Sequence, residues 1–310
     1  MLKWDYLLLR EMSRNKVVGV VFALVGAVMF SAKAIFVKIA YGIQPDLDAV
    51  TLIMFRMGFA LPFFIIILLL ELRKKKVKFD NRTLAKIFVM GFVGYYLGAY
   101  FDFKGLQYLD ASLERVILYI YPTFVLILSF FFNKKKIKPV QLLAIGITYL
   151  GVIVAFQGRI EQSSNIVLGT VLIVLCSLTY SLYLVGSESL VGKLGAKLLT
   201  SSALIVSSVC VLVHKVIVSG STMPLTEVEP KVMGVALLIA IFSTVIPSFL
   251  VTESIRRLGA SNAAILASIG PISTIIMAHF VLGEQISSFL IYGTLVVILG
   301  ISLITFSRKA

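Results

Sequence analysis

Among the ionisable residues within apolar runs of this chain, five in the first half draw attention: Lys33, Arg56, Asp102, Glu114 and Arg115. A charge in hydrocarbon costs about 2.5–3.5 kcal/mol at a helix centre on insertion scales, so each one needs a physical reason. Three cations against two carboxylates leave a positive surplus, which suits the capture of a carboxylate-bearing solute. Lys33 is the foremost candidate, since it lies deepest and Tyr183, 150 residues later, carries no replacement charge. The competing reading is structural: buried pairs holding helices together, with Glu114 and Lys38 reaching back to water.

Other side chains in these runs can support such a site. Tyr95 and Tyr96 could stack against an apolar or aromatic part of a substrate, and Tyr121 joins them as a candidate contact. Pro122 and Pro271 each deprive the carbonyl four residues earlier, at Leu118 and Ala267, of its helical donor. Those carbonyls could meet a substrate ammonium or mark flex points; a fixed kink that suits the bundle is the simpler reading. Ser268, Ser273 and Thr274 surround the second kink with hydroxyls, and His279 could carry a proton.

Catalytic signatures are sparse. Cys176 and Cys210 sit singly in apolar runs, His214 and His279 are likewise solitary, and no HxxxH, CxxC or acidic ladder offers a metal shell. A GxSxG elbow and a Walker A loop are both missing, so neither an α/β-hydrolase nor an ATP-driven motor is supported. No cofactor is expected, and no enzyme.

The elements that must position these residues follow from composition. Of 310 residues 59% are hydrophobic and only 14% charged, with a mean hydropathy of +1.01. Soluble domains sit near about 45–50% apolar and about 25% charged. Apolar runs of about 20 residues, the length that crosses a bilayer as a helix, recur at 17–41, 49–71, 87–107, 111–132, 137–157, 166–188, 199–219, 232–256, 261–282 and 286–307. This predicts an all-α polytopic membrane protein of ten spans. Residues 1–16 read as a short interfacial helix feeding an uncleaved first span.

The net charge of +14 is distributed as short clusters between the runs rather than as a nucleic-acid-binding surface. Alternate connections, with both termini, hold 21 of the 29 Lys and Arg residues, seven of them between Arg73 and Lys86. The positive-inside rule then predicts that both termini are cytoplasmic, in a plasma membrane. At 1.5 Å per residue, the five ions all fall within roughly 12 Å of the outer interface, as one vestibule or gate.

The chain also repeats itself. Ala111-Ser112, Pro122, Ile137 and Leu150-Gly151 recur 149 residues later, while Val18-Gly19 and Phe30-Ser31 match Leu168-Gly169 and Tyr180-Ser181 at a spacing of 150. Two five-span units, 17–157 and 166–307, are expected. Because five is odd, they would be oppositely oriented, which suits alternating access in a secondary transporter.

In 30-FSAKAIFVKIAY-41, 56-RMGFALPF-63, 94-GYYLGAYFDFKGLQYLDASLERVILYIYP-122 and the paired fourth and ninth spans, the chain resembles the EamA-type family of the drug/metabolite transporter superfamily. The resemblance implies ten helices, with spans 1, 3, 4, 6, 8 and 9 around a central cavity. It also implies export or exchange of amino acids or related small metabolites. A passive facilitator is the alternative within membrane proteins; a membrane-embedded enzyme is a remoter one. The expected partners are a small metabolite and the lipid bilayer, with no nucleic acid.

Overall fold

The computed structural model describes residues 2–74, 79–134, 137–157, 165–218, 220, 222–258, 266 and 269–307. Among them there is no strand. The helices are α1 (Leu2–Ile43), α2 (Ala49–Lys74), α3 (Asn81–Gly105), α4 (Ala111–Leu118), α5 (Tyr121–Asn133) and α6 (Pro139–Phe156), followed by α7 (Ile166–Leu194), α8 (Ala196–Ile217), α9 (Pro230–Leu258), α10 (Gly270–Leu282) and α11 (Ser288–Ser307). Counting α4 and α5 as one span, eight are long and apolar enough to cross a membrane, and α10 and α11 are shorter apolar helices.

Local chemistry sets the boundaries. Asp48 caps α2 by accepting the Thr51 amide at 2.9 Å and the Thr51 hydroxyl at 2.6 Å, which satisfies donors that a helix start leaves free. Pro139 and Pro230 open α6 and α9, where a missing N–H costs nothing. Gly195 separates α7 from α8 at φ 84°, and Gly283 ends α10 at φ 70°, backbone that favours glycine. The N-terminal segment differs from expectation: it forms one unbroken helix with the first span, since no Gly or Pro interrupts Leu2–Val18.

The burial pattern is inside-out relative to a soluble domain. Phe131 and Phe280 are 71% and 80% exposed, whereas Arg56, Asp102, Glu114 and Arg115 are buried. Outward aromatic side chains and inward charges mark lipid as the surrounding solvent. This is a multi-pass membrane protein.

Packing is regular. Helix α1 lies against α9 and α10, α7 against α3 and α5, α2 against α8, and α6 along α11. Arg257 Nη1 donates to Asn15 Oδ1 at 3.0 Å at one end of the α1–α9 pair, and Gln44 Nε2 donates to the Glu227 carbonyl at 3.0 Å at the other. Those two helices are therefore antiparallel. Gly169 faces Tyr108 and Leu109, while Lys193 meets Asp80 at 2.7 Å, so α3 and α7 are antiparallel too.

Two helices depart from α geometry. Met90–Leu97 in α3 and Ile241–Val245 in α9 are π-helical, local widenings that often accompany functional sites. In α3 the widened segment carries Gly91 and Gly94. A Cβ at Gly91 would lie 2.6 Å from the Ala203 carbonyl oxygen, and one at Gly94 would overlap the Tyr183 side chain. The glycines let α3 sit directly on α7 and α8.

Candidate functional site

The ions converge where α1, α3 and α4 meet. Lys33 Nζ lies 2.5 Å from Asp102 Oδ2, with the two side chains 15% and 2% exposed. On α4, Arg115 Nε stands 3.7 Å from Glu114 Oε2, and the Glu114 side chain is fully buried. Glu114 thus does not extend to water; its side chain is enclosed within the bundle.

Arg56 reaches the same region from α2. Its Nε donates to Thr244 Oγ1 at 3.0 Å, and its guanidinium lies 5.3 Å from the Phe103 ring centroid. Thr244 belongs to the π segment of α9 and also donates to the Ile239 carbonyl five residues back, at 3.0 Å. Arg115 Nη2 is 3.5 Å from the Phe30 carbonyl of α1. Lys38, further along α1 than Lys33, donates to the Leu106 and Leu109 carbonyls at 3.2 and 3.1 Å, closing the end of α3.

Beside the ions runs a chain of tyrosines. The rings of Tyr119 and Tyr121 are 6.0 Å apart, Tyr121 and Tyr180 5.2 Å, Tyr180 and Tyr183 6.4 Å, and Tyr183 and Tyr95 4.7 Å. The Tyr95 hydroxyl donates to that of Tyr183 at 3.1 Å. This array connects the π segment of α3, across α7, to the break between α4 and α5. A phenol wall beside paired charges can hold the apolar part of a small solute while ions hold its polar head.

Pro122 produces a break rather than a bend. Helix α4 ends at Leu118, α5 starts at Tyr121, and the proline occupies the new first turn. The Leu118 carbonyl is not left open to a solute: Ser177 Oγ donates to it at 3.1 Å. Ser181 Oγ donates to the Tyr121 carbonyl at 2.8 Å, and Ser31 Oγ to the Gly270 carbonyl at 3.0 Å. Pro271 likewise stands in the first turn of α10. Ser268 and Ala267 lie outside the described residues.

Two candidates stand apart from the ions. The Tyr96 hydroxyl pairs with His214 Nδ1 at 2.8 Å, towards α8. His279 points outward and its Nδ1 meets the Glu284 carbonyl at 2.9 Å. The structure therefore gathers Lys33, Asp102, Glu114 and Arg115, brings Arg56, Tyr95 and Tyr121 alongside, and leaves Tyr96 and His279 elsewhere.

Sequence reasoning passed over several participants. Tyr119, Tyr180 and Tyr183 form most of the aromatic chain, and Thr244 holds Arg56. The repeat contained a usable signal, since Ser31 and Ser181 are equivalent positions and both bond to a carbonyl at a helix break. Glu284 was also missed. Its carboxylate accepts the Ala111 and Ser112 amides at 2.8 and 3.2 Å and the Ser112 hydroxyl at 2.5 Å, capping α4 from the connection that follows α10.

A many-helix membrane bundle with a buried ionic and aromatic centre has the build of a solute carrier. The EamA-like transporter family matches residues 17–157 and again 167–306, and the chain belongs to that family. It is 31% identical over 283 residues, covering 90% of each chain, to a Bacillus subtilis protein named "Uncharacterized transporter YcbK". An "Uncharacterized transporter" of Archaeoglobus fulgidus is 25% identical over 276 residues, covering 88% of this chain and 94% of its own. A solved crystal structure sharing 14% identity aligns with a TM-score of 0.64 over 94% of this chain and 97% of the other, a likeness of fold. Family and relatives point to a transporter rather than an enzyme.

Proposed function

We propose that the protein is a secondary transporter that exports or exchanges a small carboxylate-bearing metabolite, an amino acid or close relative, by alternating access. On this reading ten spans form two oppositely oriented halves, and both termini are cytoplasmic in a plasma membrane. The observation that carries it is the exchange symmetry of the packing around the ions. Ser31 bonds the Gly270 carbonyl while Ser181, its equivalent, bonds that of Tyr121, the equivalent of Gly270. The pairing of α1 with α9 is likewise mirrored by that of α7 with α3. Two halves that swap poses would open a common centre to each compartment in turn.

The substrate class rests on charge. Lys33, Arg56 and Arg115 outnumber Asp102 and Glu114, so a solute carboxylate meets a positive surplus and its amino group meets two carboxyls. Tyr95, Tyr121 and the rings between them would contact the side chain of such a solute. The test is flux in proteoliposomes with a panel of radiolabelled amino acids. Saturable uptake that trans-loaded substrate accelerates is the expected result. Conductance without counterflow would favour a facilitator, and chemical change of the solute an enzyme.

A further inference from the structure

We infer that Arg56 is the residue that takes the solute's carboxylate, through the paired Nη1 and Nη2 edge of its guanidinium, and that Thr244 in the π segment of α9 positions that edge. The inference deepens the transporter reading by assigning one cation of the site to one group of the solute. It rests on that reading for its transport measurements only.

The buried cations are not equivalent. Lys33 Nζ is matched by Asp102 at 2.5 Å, and Arg115 Nε by Glu114 at 3.7 Å. Away from these pairs, Lys38 donates to the Leu106 and Leu109 carbonyls. Lys215 fills its ammonium with the Thr51 and Thr222 hydroxyls at 2.7 and 2.8 Å and the Met223 carbonyl at 2.5 Å. Arg56 differs: among the described residues no carboxylate pairs with it, although it is only 9% exposed. The positive surplus of the site therefore resides on Arg56. A buried charge without a counter-ion is costly, and a solute anion supplies the missing partner.

Two surfaces of the guanidinium are already occupied. Nε donates to Thr244 Oγ1 at 3.0 Å, and the Phe103 ring centroid lies 5.3 Å from Cζ, a cation–π contact. Thr244 gives its own hydroxyl proton to the Ile239 carbonyl at 3.0 Å, so only its lone pairs can face Nε. A threonine in a regular α-helix bonds the carbonyl one turn back. In the widened turn Thr244 reaches five residues back, and the same oxygen also bridges to α2.

The third surface is open. Among the described residues none bonds Nη1 or Nη2, and neither nitrogen is closed off from open space. These are parallel donors whose spacing fits the two oxygens of a carboxylate, a fork that a lysine does not provide. The edge selects an acid over its amide, because an amide nitrogen would set N–H groups against donors.

Phenylglyoxal labelling of the purified protein, read by peptide mass mapping, tests the open edge without transport. Arg56 should label faster than Arg115, and phenylacetate should slow its labelling where phenylacetamide, at matched ionic strength, does not. Arg56 left unlabelled, or labelled at a rate phenylacetate does not change, overturns the assignment. Equal protection by inorganic phosphate overturns carboxylate as the class. In proteoliposomes given the twenty standard amino acids, radiolabelled, Arg56→Lys should raise KM for a transported acid about tenfold or more with Vmax retained. Thr244→Val should raise KM less, and Thr244→Ser should restore it. Uptake with KM unchanged in Arg56→Lys overturns the assignment, and KM unchanged in Thr244→Val overturns the positioning role. Uptake of none of the twenty defeats the amino-acid reading, and the labelling then decides Arg56 alone.

Discussion

At the scale of single residues, the protein's centre consists of charges that stabilise only as a set. Removing one member of a buried pair leaves its partner uncompensated, at a cost of about 3–5 kcal/mol. Lys33→Gln should therefore melt earlier in detergent and lose most transport at unchanged surface expression; normal flux in that variant would remove Lys33 from the site. Ser177→Ala takes the donor from the Leu118 carbonyl and should cost about 1 kcal/mol, measured by the same melt. The ions were legible in the sequence because charge in an apolar run is conspicuous. Their partners were not: span boundaries leave open which way each helix is rotated. Thus the pairing of Lys33 with Asp102, and the tyrosines strung between α3 and α7, required the assembled bundle.

At the scale of elements, glycines let helices approach closely, and between α6 and α11 a glycine faces a glycine. A Cβ at Gly151 of α6 would lie 2.7 Å from the Gly293 carbonyl oxygen of α11. Gly151→Leu should thus separate these two helices and cost about 1–3 kcal/mol, seen as a lower melting temperature with the ionic centre intact. Outside the spans, Asp80 receives Lys193 Nζ at 2.7 Å and the Thr83 hydroxyl at 2.5 Å. The lysine first, then the threonine, hold its carboxyl well below the usual carboxylate range. A depressed acid stabilises the fold at neutral pH, and that contribution fades as pH falls below about 3.9, the ordinary aspartate value. Asp80→Asn should accordingly show a shallower acid-side loss of melting temperature than the wild type. Most spans could be read from their apolar length. The division at Tyr119–Ile120 followed in part from Pro122, but the π segments leave no trace in hydropathy, since widening a turn changes hydrogen-bond register and not composition.

At the scale of the whole molecule, the halves make equivalent contacts across the bundle. Tag-accessibility mapping should place both termini on one face, with the Arg73–Lys86 connection beside them and the Asp110 turn opposite. Termini on opposite faces would dismantle the proposed arrangement. The equivalence extends to an irregularity: the widened turns of α3 and α9, Met90–Leu97 and Ile241–Val245, fall at matching positions at the 150-residue offset. On the proposed arrangement of two related halves, a single inserted residue in an ancestral unit, inherited by both copies, accounts for the pair. The distortion would then be older than the doubling, where two independent insertions at one depth would otherwise be needed.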